Sequence, residues 1–114
     1  MPTSIDPVTF AELRDTTGSE FVRELIDTFL QEAPAMLAEL RDTLARGDAE
    51  RFRRAAHSLK SNANTFGALE LGRLAKDLEL AGAAAVAARG DQALAPVNAE
   101  YARAATELED LRDE

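Results

Sequence analysis

The sequence has 114 residues, a length that allows one domain and leaves little room for a second. With 46% hydrophobic and 30% charged residues, it has enough apolar material for a core and too much for a disordered tail. The absence of cysteine excludes disulfides, thiolate metal sites and cysteine nucleophiles. A net charge of -8 and only 5% aromatic residues disfavour binding to nucleic acid or to an anionic membrane.

The N-terminus has neither the basic start nor the apolar run of a signal peptide. The longest stretch of small apolar residues, Ala83 to Ala88, is far shorter than the roughly 20 residues needed to cross a bilayer. We therefore expect a cytoplasmic protein that does not enter a membrane. The start at Met1 and the capping signal at Asp6 favour a free-standing protein over a domain cut from a larger one.

A short helix is predicted near the N-terminus, from about Asp6 to Asp15. Asp6 can cap the free amides of this helix, and Pro7 suits its first turn. The apolar residues of the helix are Val8, Phe10 and Leu13. The Thr-Thr-Gly sequence at 16–18 is expected to end it.

A long second helix is predicted from Ser19, as its cap, towards Arg46. Apolar residues three or four positions apart form one stripe: Val22, Ile26, Phe29, Ala33, Met36, Leu40 and Leu44. Pro34 lies within this pattern and is expected to kink the helix rather than end it, because it removes only one backbone donor. Gly47 then supplies a stop and Asp48 the next cap.

Two further helices follow in the middle of the chain. The third spans about Asp48 to Phe66, and Gly67 after it is expected to form a left-handed cap. The fourth begins near Ala68, and its end stays open between Gly82 and, through the alanine run, Gly90. Their buried stripes comprise Phe52, Ala55, Ala56, Leu59, Ala63 and Phe66 in the third helix and Leu71, Leu74, Leu78 and Ala81 in the fourth.

The last helix is predicted from about Leu94 to Leu111, with Pro96 in its first turn. Its apolar residues recur at intervals of three and four: Leu94, Val97, Tyr101, Ala104, Leu108 and Leu111. Four long amphipathic helices joined by short turns bury their stripes most simply as an antiparallel bundle. The predicted fold is a single all-α domain over residues 1–114, an antiparallel four-helix bundle with a short additional N-terminal helix.

The only histidine, His57, is predicted to face outward from the third helix. At about 100° per residue, the apolar residues of this helix centre about 150° away from it. The polar residues that share its side are Lys60, Ser61 and Asn64 after it and Arg53 and Arg54 before it. A lone exposed histidine is most often an ordinary surface residue, and basic neighbours are most often a solvated face. Spacing alone therefore leaves a functional and an incidental His57 open.

The run AAHSLKSNANTFGALELGRLAKDLE, from Ala55 to Glu79, resembles the histidine-containing phosphotransfer (HPt) domain. The residues that match the family pattern are His57, Leu59, Lys60, Ser61, Gly67, Leu71, Leu74, Leu78 and Glu79. Ser61 stands where the family often has glycine. Glu79 stands where some members have a glutamine that touches the histidine ring, and the sequence leaves open whether Glu79 reaches His57.

The resemblance implies a phosphorelay intermediate of two-component signalling. In this reading, Nε2 of His57 accepts a phosphoryl group from the aspartate of a response-regulator receiver domain and passes it to another receiver domain. Such receivers include those of hybrid sensor histidine kinases. Lys60 would screen the phosphoryl charge. Mg²⁺ is expected in the partner, so the resemblance implies that this protein has no cofactor or metal of its own and no autonomous kinase activity. The protein is expected to be a monomer.

The neighbours of His57 each have two readings. Ser61 is small enough to let a partner approach, and its hydroxyl could bond a phosphoryl oxygen. Asn64 either contacts the phosphoryl group or the partner, or is a surface residue or a helix cap. Arg53 and Arg54 either steer an acidic receiver pocket or are merely solvated. Gly67 is expected to serve the backbone geometry of a turn.

The main alternative is a non-catalytic helical adaptor in which the histidine is incidental. A hydrolase or metal protein is disfavoured, because the sequence has one histidine, no cysteine and no Glu-x-x-His pairing. An ATP-dependent histidine kinase is excluded, because the sequence has neither an ATP-binding domain nor a glycine-rich phosphate loop.

Overall fold

The computed structural model describes residues 3–114, all of whose regular structure is helical. The helices are α1 (Pro7–Thr17), α2 (Ser19–Arg46), α3 (Ala49–Thr65), α4 (Leu69–Ala81), α5 (Ala83–Ala87) and α6 (Ala95–Arg112). The four long helices α2, α3, α4 and α6 form the predicted bundle, and α1 and α5 are short additions. Met1, on which the expectation of a free-standing protein partly rests, lies outside the described residues.

The caps that the sequence predicts for α1 and α3 are confirmed. The Asp6 carboxylate accepts a hydrogen bond from the backbone amide of Thr9, and the Asp48 carboxylate accepts one from the backbone amide of Arg51. A second bond, from the Thr9 hydroxyl, is the main reason why the pKa of Asp6 is lowered. Each carboxylate satisfies one of the free amides of its first helical turn.

The predicted capping role of Ser19 is wrong. Ser19 is the first residue inside α2, and Gly18 occupies the cap position without a side chain to bond the helix. Gly18 donates its amide to Arg14 in α1 and accepts the amide of Val22 in α2. Gly18 therefore caps both the end of α1 and the start of α2. Ser19 already belongs to the first turn of α2 and cannot cap it. As predicted, α2 continues through Pro34 to Arg46.

The structure also settles where the fourth helix ends. α4 stops at Ala81, Gly82 has a φ of +83°, and the alanine run forms the separate short helix α5. The chain then reaches α6, which has Pro96 in its first turn as predicted.

A core of apolar side chains fills the space between the four long helices. Its fully buried members include Ile26, Leu40, Phe52, Leu59, Leu71 and Leu108. Phe29 packs against Phe66 and Tyr101, with ring centroids 5.3 and 6.0 Å apart, and so connects α2 with the end of α3 and with α6. Val8 is the exception among the predicted apolar residues of α1, since it is 65% exposed while Phe10 is buried.

The N-terminal segment is bound to the turn between α3 and α4. The amide of Asp6 donates to the carbonyl of Gly67 at 2.7 Å. Gly67 has a φ of +83°, and a Cβ at this position would lie 3.0 Å from both the Asp6 carbonyl oxygen and the Thr9 Cβ. Glycine is therefore required by the backbone conformation and by the close approach of α1. The expected role of Gly67 in the turn is confirmed.

Candidate functional site

His57 lies on the outer face of α3, as the helical spacing predicts. Phe52, Ala56 and Leu59 turn inward and are fully buried, so α3 is anchored on one side. The side chain of His57 on the other side is 56% exposed. The ring is thus carried by a helix fixed in the core and remains open to a molecule that approaches from outside.

Glu79 reaches His57 from α4, which answers the question that the sequence leaves open. The Glu79 Oε2 atom lies 2.8 Å from Nδ1 of His57, and the Glu79 side chain is only 14% exposed. An ionised carboxylate can only accept a hydrogen bond, so Nδ1 carries the hydrogen in this pair. In the neutral ring, the lone pair is then on Nε2, the nitrogen that Glu79 does not occupy.

Lys60 completes a three-residue cluster. Its Nζ atom lies 3.0 Å from Oε1 of Glu79, so the two oxygens of one carboxylate bind one group each. The hydrogen bond from Lys60 is the largest cause of the lowered pKa of Glu79, and His57 adds to it against the opposing effect of burial. We call His57, Glu79 and Lys60 the histidine cluster. In this cluster the Glu79 carboxylate lies at the Nδ1 side of the His57 ring, and the Lys60 ammonium group is bound to the same carboxylate.

The other predicted site residues surround this cluster without joining it. Ser61 and Arg53 are exposed on α3 near His57. Arg54 is exposed too, and its guanidinium is paired with Glu50 one turn earlier. These positions fit the predicted outer face, and the positive charge of Arg54 is partly neutralised on that face.

Asn64 occupies a place that the sequence does not predict. Its side-chain amide lies against α4 at Gly72, where a Cβ would be 2.9 Å from the Asn64 Cγ and closer still to Oδ1. The capping alternative for Asn64 holds for its backbone only, since its carbonyl accepts the amide of Gly67. Gly72 is not among the site residues predicted from the sequence. Its signal in the sequence is a glycine within an otherwise helical, leucine-rich pattern, which often marks close packing.

An open groove runs between α2 and α3. Its α2 wall is acidic, its α3 wall is basic, and its floor is apolar. The residues that line these three parts include Glu32 and Glu39, then Arg51 and Arg54, and then Met36 and Ala55. Ser58, the residue after His57, lines the same groove. A molecule bound in this groove would therefore meet a surface with both charges and apolar area.

Within residues 3–114, no three or more histidine, cysteine, aspartate or glutamate side chains are grouped as metal ligands. In the same part of the chain, none of the helices has the length and apolar character needed to span a membrane.

Comparison with known proteins places this geometry in a family. The chain is similar to the crystal structure of histidine-containing phosphotransfer protein B from Pseudomonas aeruginosa. The two are 27% identical with a TM-score of 0.83, and the match covers 99% of this chain and 97% of the other. A search of curated proteins found no match. The family model of the Hpt domain matches residues 24–114, and the chain therefore belongs to the Hpt domain family.

Proposed function

We propose that this protein is a phosphorelay intermediate that carries a phosphoryl group on Nε2 of His57 between two receiver domains. Its family membership supports a phosphotransfer role in a phosphorelay. The observation that carries the assignment to His57 is the histidine cluster. The ring is exposed, its Nδ1 is held by Glu79, and its Nε2 is left available.

Transfer would begin with attack by the Nε2 lone pair on the phosphorus of an aspartyl phosphate in the first receiver. The N–P bond forms while the P–O bond to the aspartate breaks, and the aspartate leaves as a carboxylate. The hydrogen on Nδ1 stays between the ring and Glu79, whose negative charge offsets the positive charge that the ring acquires. The same steps in reverse deliver the phosphoryl group to the aspartate of the second receiver.

Lys60 would supply charge to the phosphoryl group. Its ammonium group is on the same helical face as His57 and is bound to Glu79 through one of its three hydrogens. A lysine side chain is long and flexible, and its remaining hydrogens can bond a phosphoryl oxygen without loss of the contact to Glu79. We propose that Lys60 bridges Glu79 and the phosphoryl group once His57 is phosphorylated.

The receiver would contribute the rest of the chemistry. We propose that Mg²⁺ and the residues that activate the aspartate belong to the partner, and that the protein has no kinase activity of its own. The groove between α2 and α3, which is lined by Ser58 among other residues, offers the partner an apolar floor flanked by opposite charges. We propose that a monomer docks to the receiver through this side of α3.

The test is phosphorylation by a panel of receiver domains that carry a radiolabelled aspartyl phosphate. The wild-type protein should become labelled, and His57→Gln should take up no label. Because position 57 is on the exposed face, the substitution should change the free energy of unfolding by no more than about 0.5 kcal/mol.

A matched control is Glu50→Gln, which alters the same helix but leaves the histidine cluster intact. It should be labelled like the wild type. Label on the His57→Gln variant would contradict the assignment of His57. A wild-type protein that binds receivers and is never labelled would instead support a non-catalytic adaptor.

A further inference from the structure

Asn64 and His57 share the outer face of α3, two helical turns apart, yet the Asn64 amide is turned onto α4. α3 and α4 are antiparallel neighbours, so Gly72 faces Asn64 as Glu79 faces His57. Gly72 is buried and Asn64 remains an exposed residue, so only the end of its side chain is covered. We call this arrangement the amide seat.

The amide seat depends on the absence of a side chain at position 72. A Cβ there would overlap Oδ1 of Asn64 and would lie 2.9 Å from its Cγ, which real structures do not tolerate. The atoms that would have to move are the terminal atoms of a flexible side chain, not the backbone of either helix. Alanine at position 72 would therefore turn the Asn64 amide out of the seat and leave the bundle in place.

An expelled amide would stand on the surface that surrounds His57. Ser61 lies between His57 and Asn64 on this face and has a small side chain. With the Asn64 amide seated against α4, no large side chain projects from these two positions of α3 beyond the histidine. A receiver must bring its aspartate within bonding distance of Nε2, and it therefore has to come close to this surface.

We propose that Gly72 determines the access of receiver domains to His57 by seating the side chain of Asn64 away from the docking surface. Gly72 is thus a positioning residue that acts through Asn64 and touches neither the histidine ring nor the phosphoryl group. The inference rests on the proposed function of His57 and adds a residue on a second helix to what governs transfer.

The decisive variant is Gly72→Ala, compared with the wild type for two phosphoryl donors. With a phosphorylated receiver, its transfer rate should fall at least severalfold, since a misplacement of about 1 Å can cost up to about 10²-fold. With phosphoramidate, the rate should not change, because this donor covers no helix surface. In that reaction the phosphorus–nitrogen bond of the donor breaks, ammonia leaves, and the phosphoryl group moves to Nε2.

The double variant N64A/G72A is the matched control. With no amide to expel, it should regain the wild-type transfer rate from the receiver. If Gly72→Ala alone does not fold, Asn64→Gln replaces it, because a longer amide does not fit the seat, while Asn64→Ala should transfer like the wild type.

The inference would be overturned if Gly72→Ala accepts the phosphoryl group from the receiver at the wild-type rate, or if the double variant remains as slow as Gly72→Ala. The seat is also checked without any transfer, by a nuclear Overhauser effect between the Asn64 amide and the Gly72 α-hydrogens that disappears in Asn64→Gln. If neither phosphoramidate nor receivers label His57 in the wild-type protein, the proposed function is overturned. If the wild-type protein is labelled but shows no Overhauser effect between the Asn64 amide and Gly72, the amide seat is overturned.

Discussion

The two faces of α3 differ in what they contribute to the molecule. On the inner face, Phe52, Ala56 and Leu59 are fully buried in the core. On the outer face, His57 and Ser61 are exposed. Consecutive residues of the helix are separated by only about 100° of rotation. Because adjacent residues face different surroundings, substitutions on one face should alter stability and substitutions on the other should alter phosphoryl transfer.

The largest effect on stability is expected from Phe52→Ala on the inner face. Removal of a fully buried aromatic ring leaves a cavity and should cost about 3–5 kcal/mol of unfolding free energy. Equilibrium denaturation measures this loss. Phosphorylation of the fraction that stays folded should proceed as in the wild type, and a transfer defect in that folded fraction would mean that the two faces are coupled.

On the outer face, Ser61→Phe should have the opposite result. A bulky ring one turn from His57 should obstruct the receiver and lower the transfer rate by about tenfold or more, since reacting groups must meet within a fraction of an ångström. The free energy of unfolding should change by only a few tenths of a kcal/mol, the difference in helix propensity. Ser61→Ala is the control and should transfer normally. Normal transfer by Ser61→Phe would place the docking surface elsewhere.

A smaller effect is expected from Lys60→Ala, which removes the cation of the histidine cluster. One charge about 5 Å from a phosphoryl group in aqueous surroundings contributes about 1 kcal/mol, or roughly fivefold in rate or lifetime. We expect slower transfer or a shorter-lived phosphohistidine, measured by decay of the label. Lys76→Ala removes an equal charge from the exposed face of α4 and serves as the control. Equal values for the two variants would assign Lys60 no specific role.

The smallest effect concerns Glu79 and pH. Since the pKa of Glu79 is lowered from its ordinary value of 4.5, the folded protein binds its proton less readily than the unfolded chain does. The stabilisation from this carboxylate is therefore present above pH 4.5 and is lost as the pH falls through the lowered pKa.

Glu79→Gln should consequently lower the stability at pH 7 by at most about 1 kcal/mol, and the difference from the wild type should vanish in acid. Denaturation curves from pH 7 to pH 3 measure it. Glu70→Gln removes the same charge from an exposed pair on α4 and serves as the control. A pH-independent difference for Glu79→Gln would rule out a contribution from its ionised form.

The sequence predicts those parts of the fold that local chemistry determines. The caps at Asp6 and Asp48, the positive φ of Gly67 and the outward direction of His57 depend on neighbours within one or two turns. The all-helical bundle follows from apolar stripes that have one spacing throughout. The local pattern gave the wrong cap for α2, because Gly18 is both the C-terminal cap of α1 and the N-terminal cap of α2. Ser19 therefore lies inside α2 and cannot cap it.

The site was less predictable, because its contacts join two helices. Glu79 is far from His57 along the chain, and nothing in the spacing alone tells whether its carboxylate reaches Nδ1. The place of Asn64 depends on a missing side chain at Gly72, so the sequence alone could not decide between its two readings. Side-chain positions across a helix interface follow from packing, which short-range patterns do not encode.

The bonds from the N-terminal segment to α6 have a consequence for the order of folding. The backbone amides of Ser4 and Ile5 both donate to the carboxylate of Glu107, and Ser4 and Glu107 are 103 positions apart. Closing so long a loop costs more chain entropy than pairing α3 with α4, which a short turn joins. The helical pair can therefore assemble early, and the amides of Ser4 and Ile5 should be among the last to gain protection from hydrogen exchange during refolding.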